Sequence, residues 1–227
     1  MENKRKEIIL KTIIKEHIKT GAPVGSGVLV DKYKLDISPA TVRNEMAELE
    51  EEGFIIQPYT SAGRVPTEKA YQAYVSEMKE KKLAEAEVKL LKSFLKEYSE
   101  ENFRQTAKAI AKISGNAVFW AFHKNNLYYT GISNLLSEPE FMHNNLIYDI
   151  SAIIDKMDEI ININFNKFDF SIRVLLGSEN PFSKYCSTVL VKYKLSNNIG
   201  LIGILGPMRM DYEKNLALIK FIEKELK

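Results

Sequence analysis

The chain is predicted to be an α+β protein in two parts, and three observations predict it. Apolar residues recur at helical spacing through residues 4–52. Two short extended runs with a turn between them follow at 54–65. After residue 115, strand-like runs alternate with amphipathic helical ones. The 227 residues are 45% hydrophobic and 27% charged, enough for one large or two modest domains.

The first segment, 4–19, carries Ile8, Ile9, Thr12, Ile13, Ile14 and Ile18 on a helical pattern. Gly21 and Pro23 stop it. Residues 24–34 predict a short second helix, with Ser26 as N-cap and Val28, Leu29 and Tyr33 turned inward. Residues 35–38, "LDIS", read as a tight link. Ser38 is an N-cap and Pro39 falls at the first helical position, where its missing N–H costs nothing. This third helix is expected to run to about Glu52 and end at Gly53, burying Val42, Met46 and Leu49. Phe54 to Gln57 reads as a strand, "TSAG" as a turn and Arg64–Val65 as a return strand. A helix reopens with Thr67 as its cap and Glu68 in its first turn. Helix, helix, helix, hairpin, helix is the order of a winged helix-turn-helix domain, placed at 1–82.

Residues 83–114 read as two helical segments forming a connector. From 115 to 227 the pattern is α+β. Strands are expected at 116–123, 126–131, "FDFSIRVLL", "CSTVLVKYKL" and "IGLIGILG", with a helix at 144–167 and a closing helix at 210–226.

The third helix suggests a chemistry. Thr41, Arg43, Asn44 and Ala47 lie outside its apolar stripe, in the first turns. The N-terminal part of a recognition helix enters the major groove of DNA. Arginine can bond guanine O6 and N7 with both arms, and asparagine can bond adenine N6 and N7. The small Ala40 and Ala47 permit close approach. The acidic end, Glu48, Glu50, Glu51 and Glu52, is expected to point away from phosphates. Positive charge is mostly lysine in this chain, with arginine at 5, 43, 64, 104, 173 and 209. An arginine fork at 43 and 64 therefore supports the reading, although Arg43 and Asn44 also fit a solvated face. Ser38 heads the helix, and Thr60, Ser61, Gly63 and Arg64 form the wing beside it. Arg64 is placed to reach phosphate.

The run from Gly21 to Val75, with "SPATVRNEMAELEEEG" followed by "QPYTSAGRVPT", resembles the HrcA family of bacterial heat-inducible transcription repressors. The resemblance continues in "GISNLLSEPEF" (131–141) and "GPMRMDYEKNLALI" (206–219). It implies a homodimer on an inverted-repeat DNA operator upstream of chaperone genes, kept active by the GroEL chaperonin. It also implies that the second domain is GAF-like. Family members are longer. They carry an extra region, associated with dimerisation, between the strand matching 116–123 and the segment matching 126–136. Here only a turn joins the two, so the second domain is a reduced form. The family pattern at Ser26-Gly27 is Ser-Arg.

Other constellations point elsewhere. Net charge is +2, too mild to indicate a nucleic-acid partner by itself. The lone Cys186 predicts no disulfide within the chain, a reducing compartment and a buried structural thiol. "MENKRKEIIL" predicts no signal peptide, and no apolar run approaches a membrane span. The expected location is cytoplasmic, with no membrane partner. His17, His123 and His143 are scattered without ligand spacing, so neither a metal nor a cofactor is expected. No nucleophile–base pair suggests an enzyme. Gly200, Gly203 and Gly206 are read as close packing in a strand. Asp211 is expected to cap the last helix, and Arg209 to bond across a domain or subunit interface. Phe119, Trp120, Phe122, Tyr128 and Tyr129 read as core. An alternative function is a regulator whose 116–227 domain binds a small metabolite.

Overall fold

The computed structural model describes residues 2–34, 37–78, 81–141 and 146–227. It contains two compact units, Met1–Met78 and Lys79–Lys227.

The first unit holds α1 (Glu2–Thr20), α2 (Ser26–Tyr33), α3 (Pro39–Glu51), the antiparallel pair β1 (Ile55–Ile56) and β2 (Val65–Pro66), and α4 (Glu68–Glu77). Its core gathers Ile9 and Ile13 of α1, Leu29 of α2, Val42, Met46 and Leu49 of α3, and Ile55 of β1. The caps sit where local chemistry puts them. Ser38 Oγ accepts the amide of Thr41 at 3.1 Å, and Thr67 Oγ1 accepts that of Ala70 at 3.4 Å. Gly53, at φ 76°, takes the left-handed turn that ends α3.

Three details of this unit differ from expectation. Gly25, not Ser26, is the N-cap of α2, so Ser26 is its first helical residue. Val28 is exposed, because the short α2 buries only Leu29. Ile8 also faces solvent, since the buried stripe of α1 passes through Ile9, Ile13 and Ile14. Within the expected link, Leu35 and Asp36 lie outside the described residues.

The second unit contains α5 (Glu85–Phe94) and α6 (Glu100–Ser114), so residues 83–114 fold with it. Then come β3 (Ala117–His123), β4 (Asn126–Thr130), α7 (Ile132–Leu136), a 3-10 turn at Pro139–Phe141, α8 (Leu146–Asp155) and α9 (Met157–Asn164). β5 (Arg173–Leu176), β6 (Cys186–Leu195), β7 (Asn198–Pro207) and α10 (Tyr212–Glu225) complete it. The helix expected over 144–167 is interrupted at Lys156, and residues 144 and 145 lie outside the described ones.

The five strands form one antiparallel sheet in the order β4-β3-β7-β6-β5. Helices cover both faces, which is why β3, β6 and β7 read as near-continuous apolar runs. On one face Phe119, Leu190, Leu201 and Leu205 pack with Phe141, Met157, Ile161 and Phe165. The alternate residues of the same strands, among them Trp120 and Tyr193, face the opposite way. There the Trp120 ring stacks on Phe103 of α6 at 4.8 Å, and Ser187 bonds the Tyr212 hydroxyl of α10 at 2.8 Å. Tyr129, expected in the core, is exposed because β4 is an edge strand.

The three strand glycines have a packing reason. A Cβ on Gly200 would meet the Tyr193 ring, one on Gly203 the Phe119 ring, and one on Gly206 the Asn116 side chain, each closer than 2.5 Å. Cys186 is fully buried, and burial pushes its thiol up to about 12, so it is an inert structural thiol. No described helix is long and apolar enough to cross a membrane.

Candidate nucleic-acid interface

An α-helix turns about 100° per residue. On α3 this puts Val42, Glu45, Met46 and Leu49 on one side, and all four are buried. Ala40, Arg43, Asn44 and Ala47 fall on the opposite side and are exposed. Ser38 is exposed and Thr41 half-buried, and their hydroxyls bond each other at 2.9 Å. The expected face is therefore continuous along α3.

Periodicity does not reveal the electrostatic setting of this face. Arg5 donates to Glu45, Arg64 pairs with Glu50, Arg104 with Glu100, Arg173 with Asp169, and Arg209 with Glu138 and Glu140. Among the described residues Arg43 makes no ion pair, unlike every other arginine of the chain. Asn44, beside it, likewise makes no side-chain hydrogen bond among the described residues. An exposed fork and an exposed amide thus stand side by side with unused bonding capacity.

The acidic end of α3 is not the bare carboxylate cluster that repulsion from phosphate would need. Lys6 of α1 bridges Glu48 at 2.6 Å and Glu52 at 2.8 Å. Hydrogen bonds to Glu48 and then Glu52 hold the Lys6 ammonium above the usual lysine range. With Arg5 on Glu45 and Arg64 on Glu50, most of this charge is internally matched.

The wing is fastened to α3 through that last pair. Arg64 Nε and Nη2 lie 2.9 and 2.8 Å from Glu50 Oε2. The other oxygen of Glu50 accepts the Gln57 amide at 2.9 Å, and Gln57 Nε2 donates to the Ala62 carbonyl at 3.0 Å. Arg64 is thus a positioning residue for the hairpin, and its side chain is only 19% exposed. Glu50 and Gln57 belong to the site for the same reason. Sequence reading missed them because one glutamate among several adjacent ones carries no mark of its partner. Thr60 and Ser61 are exposed at the tip, where Ser61 adopts φ 65°.

Gly63 locks the base of the wing. The backbones of Val24 and Arg64 exchange two hydrogen bonds of 2.9 Å. A Cβ on Gly63 would stand 2.4 Å from the Val24 carbonyl carbon and 2.5 Å from its oxygen. Backbone cannot rotate aside as a side chain can. Gly63→Ala is therefore expected to break this bridge and destabilise the first unit by about 1–3 kcal/mol. Chemical denaturation checks the stability, and hydrogen exchange at the Val24 and Arg64 amides checks the bridge. Unchanged protection of both would refute the packing account. Gly25, Ser26, Arg43, Gln57, Ser61 and Gly63 line one cleft of about 340 Å³, so the start of α2, the face of α3 and the wing converge.

Of the remaining candidates, Arg209 and Asp211 lie within the second unit and His17 within the first. Arg209, expected at an interface, binds Glu138 and Glu140 of the same unit, with Nη2 3.0 Å from Glu140 Oε2. It ties the 131–141 and 206–219 segments together. Asp211 caps α10, accepting the Lys214 amide at 3.0 Å. His17 Nδ1 lies 2.7 Å from the Tyr71 hydroxyl. Among the described residues no group of His, Cys, Asp or Glu is arranged to hold a metal.

Comparison with known proteins adds to this geometry. A family model described as the HrcA protein C terminal domain matches residues 44–216. The heat-inducible transcription repressor HrcA of Natranaerobius thermophilus is 28% identical, over 99% of this chain and 96% of its own length. That of Carboxydothermus hydrogenoformans is 26% identical, over 100% and 97%. Both alignments exceed 227 positions, at 330 and 336, so part of each relative has no counterpart here. The repressor of the same name from Alkaliphilus metalliredigens is 57% identical over 76 residues, 34% of this chain and 22% of its own. Among solved structures, one of a hypothetical protein at 2.2 Å superposes with a TM-score of 0.82. It is 18% identical and covers 98% of this chain and 96% of that one, which shows a shared fold.

Proposed function

The chain belongs to the HrcA family, and we propose that it is a transcriptional repressor of heat-shock chaperone genes that binds an inverted-repeat operator as a dimer. In this reading the first unit is a winged helix-turn-helix domain. Ser38, Ala40, Thr41, Arg43, Asn44 and Ala47 face the major groove. Thr60, Ser61, Gly63 and Arg64 belong to the wing, with Arg64 placing it through Glu50. The names of the relatives supply the class of function. The observation that carries the role of α3 is the pairing of exposed Arg43, which has no ion pair among the described residues, with exposed Asn44, opposite a fully buried stripe. Those side chains offer the bidentate bonds that distinguish guanine and adenine.

Dimerisation follows from the size of the site. One such helix reads only a half-site, and two half-sites related by symmetry supply useful specificity. GroEL enters the proposal as the partner that keeps the repressor active, on family membership alone.

A footprint on the chaperone promoters of the source genome tests the reading. The expected pattern is two symmetric protections about one helical turn, or a multiple of it, apart. Affinity should fall steeply with salt, with or without added metabolites. A single unsymmetric protection, or binding that appears only with a small molecule, would count against it.

A further inference from the structure

The second unit carries a trough built from α5 and α10. One cleft of about 530 Å³ runs along α5, and an adjoining one of about 330 Å³ lies between the start of α5 and α10. Leu83 and Val88 line both, so the two are continuous. The floor is apolar: Leu83, Val88, and Ala217 with Phe221 one turn apart on α10. Lysines rim it on both sides. Lys89 and Lys92 lie i, i+3 on α5 and Lys96 in the turn just after it, while Lys220 and Lys224 follow i, i+4 along α10. Lys81 and Lys82 close one end. Among the described residues Glu85 is the only carboxylate in the lining. Lys81 pairs with Asp211 at 3.4 Å and Lys92 with Glu225 at 3.7 Å, while Lys82, Lys89, Lys96 and Lys224 make no ion pair among the described residues, so the rim keeps a local excess of positive charge.

We propose that this trough docks an acidic amphipathic helix of a partner protein. The charge chooses an anionic occupant. The floor then chooses among anions, because a phosphate backbone offers nothing apolar to cover Val88 and Phe221. A helix with leucine or phenylalanine at i, i+3 or i+4, and i+7 fills such a floor. Carboxylates on its flanks reach the two rows of lysines. The ten residues of α5 extend about 15 Å at 1.5 Å per residue, so the occupant needs about three turns to cover it. Rim lysines steer and orient such a partner, and the floor holds it.

The test uses the full chain and a labelled twelve-residue helical peptide, with leucine anchors at that spacing and glutamates between them. Two controls are a scrambled peptide of the same composition and an oligoglutamate. Fluorescence anisotropy is expected to show binding of the anchored peptide at least about tenfold tighter than either control. Reversing the rim with Lys89→Glu and Lys96→Glu, which leaves the Lys92–Glu225 pair in place, should weaken it at least about tenfold. Phe221→Ser should weaken the anchored peptide and leave oligoglutamate unaffected. Lys89 and Lys96 are exposed and make no ion pair among the described residues, so the reversed protein should keep its melting curve and its affinity for the operator. Equal binding of all three peptides would mean a solvated lysine face and overturn the proposal. No peptide binding at all would also overturn it. So would loss of random-sequence duplex binding in the rim variants, which would mark a nucleic-acid surface.

Discussion

Replacing Arg43 with alanine is expected to weaken operator binding by about 1–3 kcal/mol for each bidentate pairing with a base that it removes, at one base position per half-site. In a symmetric complex the removal occurs twice. Binding to random duplex should change far less, because a base-reading arginine contributes little where the base is wrong. Folding should be untouched, since the side chain is exposed and has no ion-pair partner among the described residues. Arg43→Lys should not rescue it: lysine keeps the charge and lacks the planar fork. Arg64→Ala is expected to differ. It releases the hairpin from Glu50, so it should weaken operator and random DNA together and lower the stability of the first unit. Parallel titrations of both sequences at one salt concentration decide the matter. If Arg43→Ala leaves the ratio of the two affinities unchanged, α3 does not read bases through this residue.

Trp120→Ala is expected to cost the second unit about 3–5 kcal/mol. The indole is wholly buried, stacks on Phe103, and donates its N–H to the Tyr193 hydroxyl at 2.7 Å. Truncation opens a cavity between α6 and the sheet. It also strands the buried Tyr193 hydroxyl, a penalty of about 1–3 kcal/mol when taken alone. Trp120→Phe separates the two effects: it keeps a ring against Phe103, loses the hydrogen bond, and should cost clearly less. Urea denaturation followed by circular dichroism measures both variants, because each removes the only tryptophan of the chain. A domain is stable by only about 5–15 kcal/mol, so the alanine variant is expected to be partly unfolded at temperatures the parent tolerates. A cost below about 1 kcal/mol would mean that Trp120 is not the centre of this layer.

The two variants probe different kinds of information. The face that carries Arg43 was legible in the sequence because helix periodicity and caps are local. Ser38 and Pro39 start α3, Gly53 ends it, and three buried apolar positions orient it. All lie within a few turns of the side chains they place. Asp211 at the head of α10 and the packed glycines of β7 were legible for the same reason. Each is decided by backbone geometry within one element, or by the absence of a Cβ where a neighbouring side chain comes close.

Only the tertiary structure decided which charges are spent. Arg64 finds Glu50 across 14 residues, Arg5 finds Glu45 across 40, and Arg209 finds Glu138 and Glu140 across 71 and 69. Many carboxylates and cations along this chain are chemically equivalent, and pattern gives no way to match them. The match is made by which helices pack together, and that is settled by burial of apolar faces over the whole unit. The same packing placed residues 83–114 in the second unit, turned the wing arginine into a clamp, and left Arg43 as the fork without an ion pair among the described residues.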